Sequence, residues 1–241
     1  MAWIRIAVLA SIALGLIGCK ETIDSANLRT RGIAMVTTVT ATSESRVLVH
    51  TELLAGGDES NTNVILGSRD RLIADADGDD TEMEAVGDGE YEAEFDVGLG
   101  GTVFTVSLER EEDDPAPDNS GSLPEPFDIT SDFGATPMSR AEAMEITWEP
   151  SGESDDMEIE FDDEVGEGCI YMADDNIAGD PGTYTVDADF LKGTGPDDMQ
   201  ESCDVTATIR RSRSGSTDNA LDGESSFRLR QVRSVGFVSA P

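Results

Sequence analysis

Few residues of this chain have the type and spacing that catalysis needs. His50 is the single histidine, and it falls within an alternating segment, Arg46 to Leu54, where a histidine is usually structural. A nucleophilic triad also needs an activated serine or cysteine, and the sequence contains no Gly-x-Ser-x-Gly elbow. Paired carboxylates arise at any spacing by chance among 51 acids. We therefore expect no enzyme, with a carboxylate-based hydrolase as the weakest alternative.

One acidic segment has the spacing of a hard-cation site. Asp75, Asp77 and Asp79 alternate around Gly78, and carboxylate oxygens are the ligands that calcium prefers. The segment is not an EF-hand, because the glycine is displaced and the twelfth position is Val86. The pattern favours a hairpin whose tight turn is Asp77 and Gly78. A weak calcium site at the three aspartates is the alternative, and calcium is the one cofactor to which the sequence points.

The N-terminus carries the most specific motif. A mostly apolar run from Ile6 to Ile17 has the length of a signal-peptide core and is too short to cross a bilayer of about 30 Å as a helix. The run ends in Leu16-Ile17-Gly18-Cys19. This ending resembles the lipobox of bacterial lipoproteins, with an aliphatic residue three positions before the cysteine and a small residue just before it.

The lipobox resemblance implies an anchored, exported protein. Residues 1–18 would be a cleaved signal peptide, Cys19 the lipidated N-terminus and residues 19–27 an acylated tether to the membrane. Several acyl chains make a stable anchor, whereas one chain alone binds only marginally. Lys20 follows the cysteine in place of the aspartate that retains similar enteric lipoproteins at the inner membrane, which favours the outer membrane. The alternative is an ordinary cleaved signal peptide with a free Cys19.

The other two cysteines form an even pair. Cys169 and Cys203 remain if lipid takes Cys19, and an exported compartment is oxidising. Both lie at edges of expected strands, so we predict a Cys169–Cys203 disulfide. Two separately buried thiols are the alternative.

The charge of the chain argues against negatively charged partners. The chain has 16 Lys and Arg against 51 Asp and Glu, a net charge of −35, so its field opposes nucleic acid and anionic lipid surfaces. This composition resembles exported proteins of salt-loving bacteria, with a merely soluble acidic surface as the alternative. Arginines nevertheless gather near the end of the chain. We expect them to pair across strands with the protein's own acids, and a site for an acidic partner is the alternative: Arg210, Arg211, Arg213, Arg228, Arg230 and Arg233.

Period-two alternation dominates the sequence and predicts an all-β fold. One segment shows the pattern clearly: Met157, Ile159 and Phe161 alternate with Glu158, Glu160 and Asp162. Ile146 and Trp148 alternate in the same way with polar residues, which places Trp148 in a core. Residues Glu111 to Pro126 are rich in acids, proline, glycine and serine and predict an exposed loop. Near the end, the pattern predicts separate strands over Ser226 to Arg230 and Arg233 to Ser239.

A short repeat divides the chain. Asp-Gly-Glu-Tyr91 and Asp-Pro-Gly-Thr-Tyr184 place tyrosines 93 residues apart, about the length of one immunoglobulin-like domain. Both copies resemble the Asp-x-Gly-x-Tyr approach to a sandwich strand, in which the tyrosine hydroxyl bonds to backbone in a corner. A hairpin that happens to contain a tyrosine is the alternative. The resemblance implies two tandem immunoglobulin-like β-sandwiches, residues 28–130 and 131–241, with their junction near Ser131 to Ser139.

These observations favour a non-catalytic envelope lipoprotein with a protein-interaction or surface-structural role. The chain most resembles exported bacterial lipoproteins with tandem sandwich domains, and such folds serve many functions. A calcium-dependent binding or adhesive module is the second hypothesis, ahead of the hydrolase.

Overall fold

The strands of the chain pair into sheets as the alternation predicts. The structure is a computed structural model that describes residues 21–134, 136–163, 169–194 and 201–241. In these ranges the regular elements are β-strands and two short 3-10 helices, Ser25–Asn27 and Thr30–Gly32. The all-β prediction is confirmed.

The first half contains the following strands: β1 (Glu21–Asp24), β2 (Ile33–Ser43), β3 (Arg46–Ala55), β4 (Thr62–Ile65), β5 (Arg71–Ala76), β6 (Asp79–Glu82), β7 (Glu84–Gly87), β8 (Glu90–Phe95), β9 (Val103–Glu109) and β10 (Ala116–Ser122). The second half contains these: β11 (Met138–Ser139), β12 (Met144–Thr147), β13 (Asp156–Asp163), β14 (Ala173–Ile177), β15 (Thr183–Val186), β16 (Cys203–Ser214) and β17 (Ser226–Ala240).

The first sandwich encloses one hydrophobic core between two sheets. One sheet runs through β8, β3, β2 and β17, and the other has the order β10-β9-β5-β6. Alternate residues of each strand point inward, so Met35 of β2 and Phe104 of β9 are both fully buried in this core. Phe95 and Phe104 meet edge to face with ring centroids 5.6 Å apart.

The second core lies over the other half of the long sheet. There β16 pairs with β13, which pairs with β14, and the separate pair β12 and β15 supplies further apolar residues. Ile159 and Phe161 of β13 and Ile209 of β16 are fully buried in this core, as their alternation with acids predicts. Trp148 is buried here too, as expected.

The last strand belongs to both cores. Residues Ser226 to Gln231 of β17 run parallel to β2, while β17 pairs antiparallel with β16 along its whole described contact, from Arg228 to Ser239. Phe227 accordingly packs in the first core and Phe237 in the second. The final hairpin thus crosses the division predicted at residues 130 and 131, which itself stays a prediction.

Two local predictions are corrected by the structure. The expected loop contains strand β10, which pairs with β9 around a bulge between Ala116 and Asn119. Asn119 is buried, and its side-chain amide donates to the carbonyls of Val106 and Ala116, so the polar segment satisfies its own backbone. The two strands expected at the C-terminus are one continuous strand, because the buried Gln231 continues the ladder between them.

The expected tether is shorter than predicted. Residues 21–27 are part of the folded body, since β1 pairs with β4 and Ser25 is buried. The Ser25 hydroxyl donates to Asp70 at 2.7 Å, and Arg110 donates to the Ser25 carbonyl at 2.7 Å. Arg110 and Asp70 form a buried ion pair at 2.7 Å. Tether character is therefore excluded for residues 21–27.

Candidate functional site

The predicted lipidation residue, Cys19, lies outside the described residues, so lipid attachment stays a prediction. Within the described ranges, no helix is long and apolar enough to cross a membrane.

The predicted disulfide is present. Cys169 and Cys203 are bonded, with their Cα atoms 6.2 Å apart, and Cys203 begins β16 as a buried residue. Asp163 at the end of β13 accepts hydrogen bonds from the backbone amides of Cys169 and Ile170. The bond therefore fastens the segment after β13 to the start of β16.

The disulfide region also gathers metal-type ligands. Among the described residues, Asp163, Cys169 and Cys203 form a group of three such side chains within 4.8 Å of one another. Metal-binding cysteines coordinate as thiolates, and both sulfurs are used in the disulfide here. The group is therefore a disulfide bond next to a carboxylate, Asp163, that accepts hydrogen bonds from the adjacent backbone amides.

The three aspartates of the calcium hypothesis lie at a β-hairpin between β5 and β6. Asp77 and Gly78 have φ of 51° and 96°, the left-handed values that a tight hairpin turn requires. Asp75 accepts a hydrogen bond from the Gly78 amide at 3.1 Å, and Asp77 accepts one from the Val103 amide at 3.1 Å. The favoured hairpin is thus present, and two of the three carboxylates are bonded to backbone. Calcium binding at Asp75, Asp77 and Asp79 stays a prediction.

His50 is part of the sheet surface. It lies in β3 opposite Glu92 of β8, and its Nδ1 is 3.2 Å from a Glu92 carboxylate oxygen. This cross-strand contact gives the imidazole a structural role.

A buried polar cluster centres on Asp180. Its carboxylate accepts from the Trp148 indole at 2.8 Å and from the Ser151 amide at 2.7 Å, and it lies 2.8 Å from the Arg211 guanidinium. Burial alone would raise the pKa of Asp180, but the hydrogen bonds from Ser151 and Trp148 and the charge of Arg211 together lower that pKa below its usual value. The carboxylate is therefore held ionised inside the protein.

Arg211 connects this cluster to the chain between the two cores. Its Nη1 donates to the Glu125 carbonyl at 2.7 Å and its Nη2 to the Glu149 carbonyl at 2.7 Å. The guanidinium also stacks over the Phe127 ring, 4.6 Å from the centroid. A fully buried arginine with this many partners fixes the path of the backbone around residue 125.

Gln231, on the neighbouring strand β17, also fixes the path of nearby backbone through its side chain. It lies directly opposite Arg211 in the β16–β17 ladder, and its side-chain amide donates to the carbonyls of Gly98 and Pro124 at 2.9 and 3.2 Å. The junction of the cores is thus held by two buried polar side chains on adjacent strands.

A sequence signal for this junction existed and was missed. Val205, Ala207, Ile209 and Arg211 share one face of β16, and all four are buried. A polar residue in an apolar register position predicts a buried, hydrogen-bonded side chain. Its partners could not be inferred, because they are backbone carbonyls from distant segments.

A groove of about 470 Å³ opens beside this junction. Its walls bring together three carboxylates and an arginine: Glu44, Asp128, Glu149 and Arg233. Burial lowers the pKa of Arg233, and the charges of Asp128 and Glu44 partly offset this effect. A glycoside hydrolase would need two carboxylates separated by about 5 to 10 Å across a bound sugar. The hydrolase hypothesis stays a prediction to which the groove gives a location.

The clustered arginines behave in two ways. Arg210 pairs with Glu158 and Glu160, and Arg213 pairs with Asp155, at distances from 2.6 to 3.3 Å, as the cross-strand interpretation predicts. Arg228 and Arg230 have no ion pair within the described residues, although the protein has a large excess of acids.

The repeated tyrosines have different partners. Tyr91 accepts a hydrogen bond from the Leu66 backbone amide at 2.8 Å, a backbone contact that is 25 residues distant in sequence, whereas a tyrosine corner bonds to backbone a few residues upstream. Tyr184 instead donates to the Asp175 carboxylate at 2.9 Å. Gly89 and Gly182, which precede them, both have φ of 75°. The two copies of the repeat thus share the glycine conformation of the turn but differ in the group that the tyrosine hydroxyl contacts.

These features define an immunoglobulin-like, all-β protein with a polar junction between two cores. No protein-family model matches the chain, and no curated protein matches it.

Several solved structures of tandem β-sandwich domains are similar to the chain. A two-domain fibronectin type III segment of chicken tenascin is 14% identical, covers 85% of this chain and 97% of its own, and has a TM-score of 0.24. Titin domains A168–A170 are 9% identical, with coverage of 86% and 65% and a TM-score of 0.28. Scores this low carry no argument about function. The fold assignment depends on the strand pairing and cores described above.

Proposed function

We propose that the chain is a non-catalytic cell-envelope lipoprotein that acts by binding or by building surface structure. Lipid on Cys19 attaches it to the membrane, with the outer membrane favoured by Lys20. The supporting observation is that the folded body includes Glu21, where β1 pairs with β4. Only one residue would separate the acylated cysteine from this body, so the folded part would lie directly at the membrane surface.

The remaining polar contacts suit such a role. Buried charged groups, such as Asp180 with Arg211 and Asp70 with Arg110, are bonded to the backbone that they position. This use of charge makes a scaffold rigid, and rigid scaffolds are suited to presenting a surface to a partner.

Mass spectrometry of the protein purified from membranes of its native host tests the proposal. We expect a mature N-terminus at Cys19 with a diacylglycerol thioether and an N-acyl group. The variant Cys19→Ser should leave the membrane fraction or accumulate as an unprocessed precursor, whereas Cys169→Ser should still be acylated. An unmodified Cys19 in the native membrane fraction would refute the lipoprotein assignment.

A further inference from the structure

Three arginines lie together on the outer face of the long sheet. Arg210 is on β16, and Arg228 and Arg230 are two residues apart on β17, so the latter two point to the same side. Arg230 is directly opposite Ser212 on β16 and Thr40 on β2. Side chains so placed are neighbours, because opposite Cβ atoms in a sheet are about 5 Å apart.

Arg230 is half-buried and forms no ion pair with a carboxylate of the described residues. Its Nε donates to the Thr40 hydroxyl at 3.0 Å, which orients the guanidinium and leaves its two Nη groups as donors. Burial lowers the pKa of Arg230, and the positive charges of Arg210 and Arg228 lower it further. The Arg230 guanidinium is therefore a positive charge oriented by Thr40. Its charged neighbours are mainly the cations Arg210 and Arg228.

Two of the acids nearest this cluster already have a partner. Glu158 and Glu160 both pair with Arg210, at 3.3 and 2.6 Å. Arg228 is exposed and lines a cavity of about 180 Å³ together with Ser212 and Asn176, and two carboxylates, Asp156 and Glu158, also border this cavity. Hydroxyl, amide and guanidinium donors thus border one space on the side of Arg228 and Ser212, with the two carboxylates on the β13 side.

We propose that Arg228 and Arg230, with the hydroxyls of Thr40 and Ser212, form a binding site for an oxyanion group of the phosphate or sulfate class. The planar fork of arginine matches two oxygens of such a group, and charge-assisted hydrogen bonds are stronger than neutral ones. The site does not depend on lipid attachment.

The protein's overall charge limits the strength of this site. A net charge of −35 repels anions at long range, but salt screens charges beyond about 8 Å at physiological ionic strength. The two arginines act within that distance. We therefore expect weak binding of free ions that weakens further when sodium chloride is raised, because Arg228 is exposed and chloride competes for the same donors.

Calorimetric titration of the full-length protein with inorganic phosphate, and separately with sulfate, tests the proposal at constant ionic strength set by sodium chloride. We expect saturable binding at one site, weakened at least tenfold in Arg228→Gln and Arg230→Gln. Arg230→Lys keeps the charge but loses the fork, so it should weaken binding several-fold.

The matched control is Arg71→Gln, which removes the same charge from β5 in the opposite sheet, where Arg71 pairs with Glu109 at 2.6 Å. It should bind phosphate like the wild type. Equal weakening in all three glutamine variants, or no saturable heat with the wild type, would overturn the site. Far-ultraviolet circular dichroism checks each fold, and the exposed Arg228 variant decides the outcome if Arg230→Gln unfolds.

Discussion

At the scale of single residues, this protein uses buried charge to fix its backbone. Asp180 and Arg211 are both almost fully buried as side chains, at 1% and 0% exposed. Bringing two charges out of water is costly, and attraction compensates only when the remaining hydrogen bonds are also made. Here the carboxylate has Trp148 and Ser151 as donors, and both Nη groups of the guanidinium donate to carbonyls, which leaves the Arg211 Nε as the one buried donor of the pair without a partner among the described residues.

Asp180→Asn should be strongly destabilising. It removes the carboxylate that pairs directly with the buried Arg211 cation, for which we expect a loss of about 3 to 5 kcal/mol in the free energy of unfolding. Urea unfolding measures this loss. Glu109→Gln is the control, because it breaks a pair with Arg71 in which both side chains are about half exposed, and it should cost less than about 1 kcal/mol.

The effect of Asp180→Asn should also depend on pH. The pKa of Asp180 is lower in the folded protein than its usual value, so its stabilisation is complete above the unfolded pKa of about 3.9 and is lost as the pH falls through the folded pKa. The difference in unfolding free energy between wild type and variant should therefore shrink below about pH 4. A difference that stays constant down to pH 2 would contradict this role.

At the scale of elements, the Cys169–Cys203 bond closes a covalent loop at the edge of the second core. The two residues are 34 positions apart, and a loop of this size gives about 3 to 4 kcal/mol in the chain-entropy account of disulfides. The double variant Cys169→Ala and Cys203→Ala should lose stability of this order in urea unfolding. The wild type in excess reductant should match it, and a loss below about 1 kcal/mol would show that the cross-link contributes little.

Alternation predicted the strands that form the cores, and it failed where a strand depends on its partners. The acids and apolar residues of β13 alternate over Asp156–Asp163, and the strand is present as predicted. Strand β10 has no such pattern, because Asn119 is buried through side-chain bonds to a neighbouring strand. The split at Arg230 and Arg233 was wrong for the same reason, since Gln231 is polar and buried.

The candidate site was predictable only in part. The sequence supplied the cysteine pair and the cluster of arginines, because cysteine count and clustering are local properties. It could not separate the paired Arg210 from the unpaired Arg230, because that distinction depends on strand register. The groove beside Arg233 was likewise beyond prediction, since its walls come from residues 42–45, 126–128, 149 and 233, which are distant in sequence.

At the scale of the whole molecule, strand β17 is shared by the two cores, while the division into two domains stays a prediction. Strand β17 contributes Phe227 to the first core and Phe237 to the second, and Arg211 with Gln231 binds the chain between them. Loss of either core would remove a pairing partner of β17, namely β2 from the first core or β16 from the second. We therefore expect the cores to unfold together.

This joint unfolding is the central claim, and Trp148 makes it measurable. Trp148 lies in the second core, while the other tryptophan, Trp3, is in the segment proposed to be cleaved. Phe104→Ala removes a fully buried ring from the first core and should cost about 3 to 5 kcal/mol. The decisive measurement is the urea midpoint of Trp148 fluorescence in this variant.

If the cores unfold together, the fluorescence midpoint should move to lower urea by the same amount as the circular dichroism midpoint. Phe161→Ala, the equivalent change in the second core, should shift both signals alike. A Trp148 midpoint that stays at the wild-type value while circular dichroism shows an earlier transition would contradict the account, because it would mean that the cores fold independently.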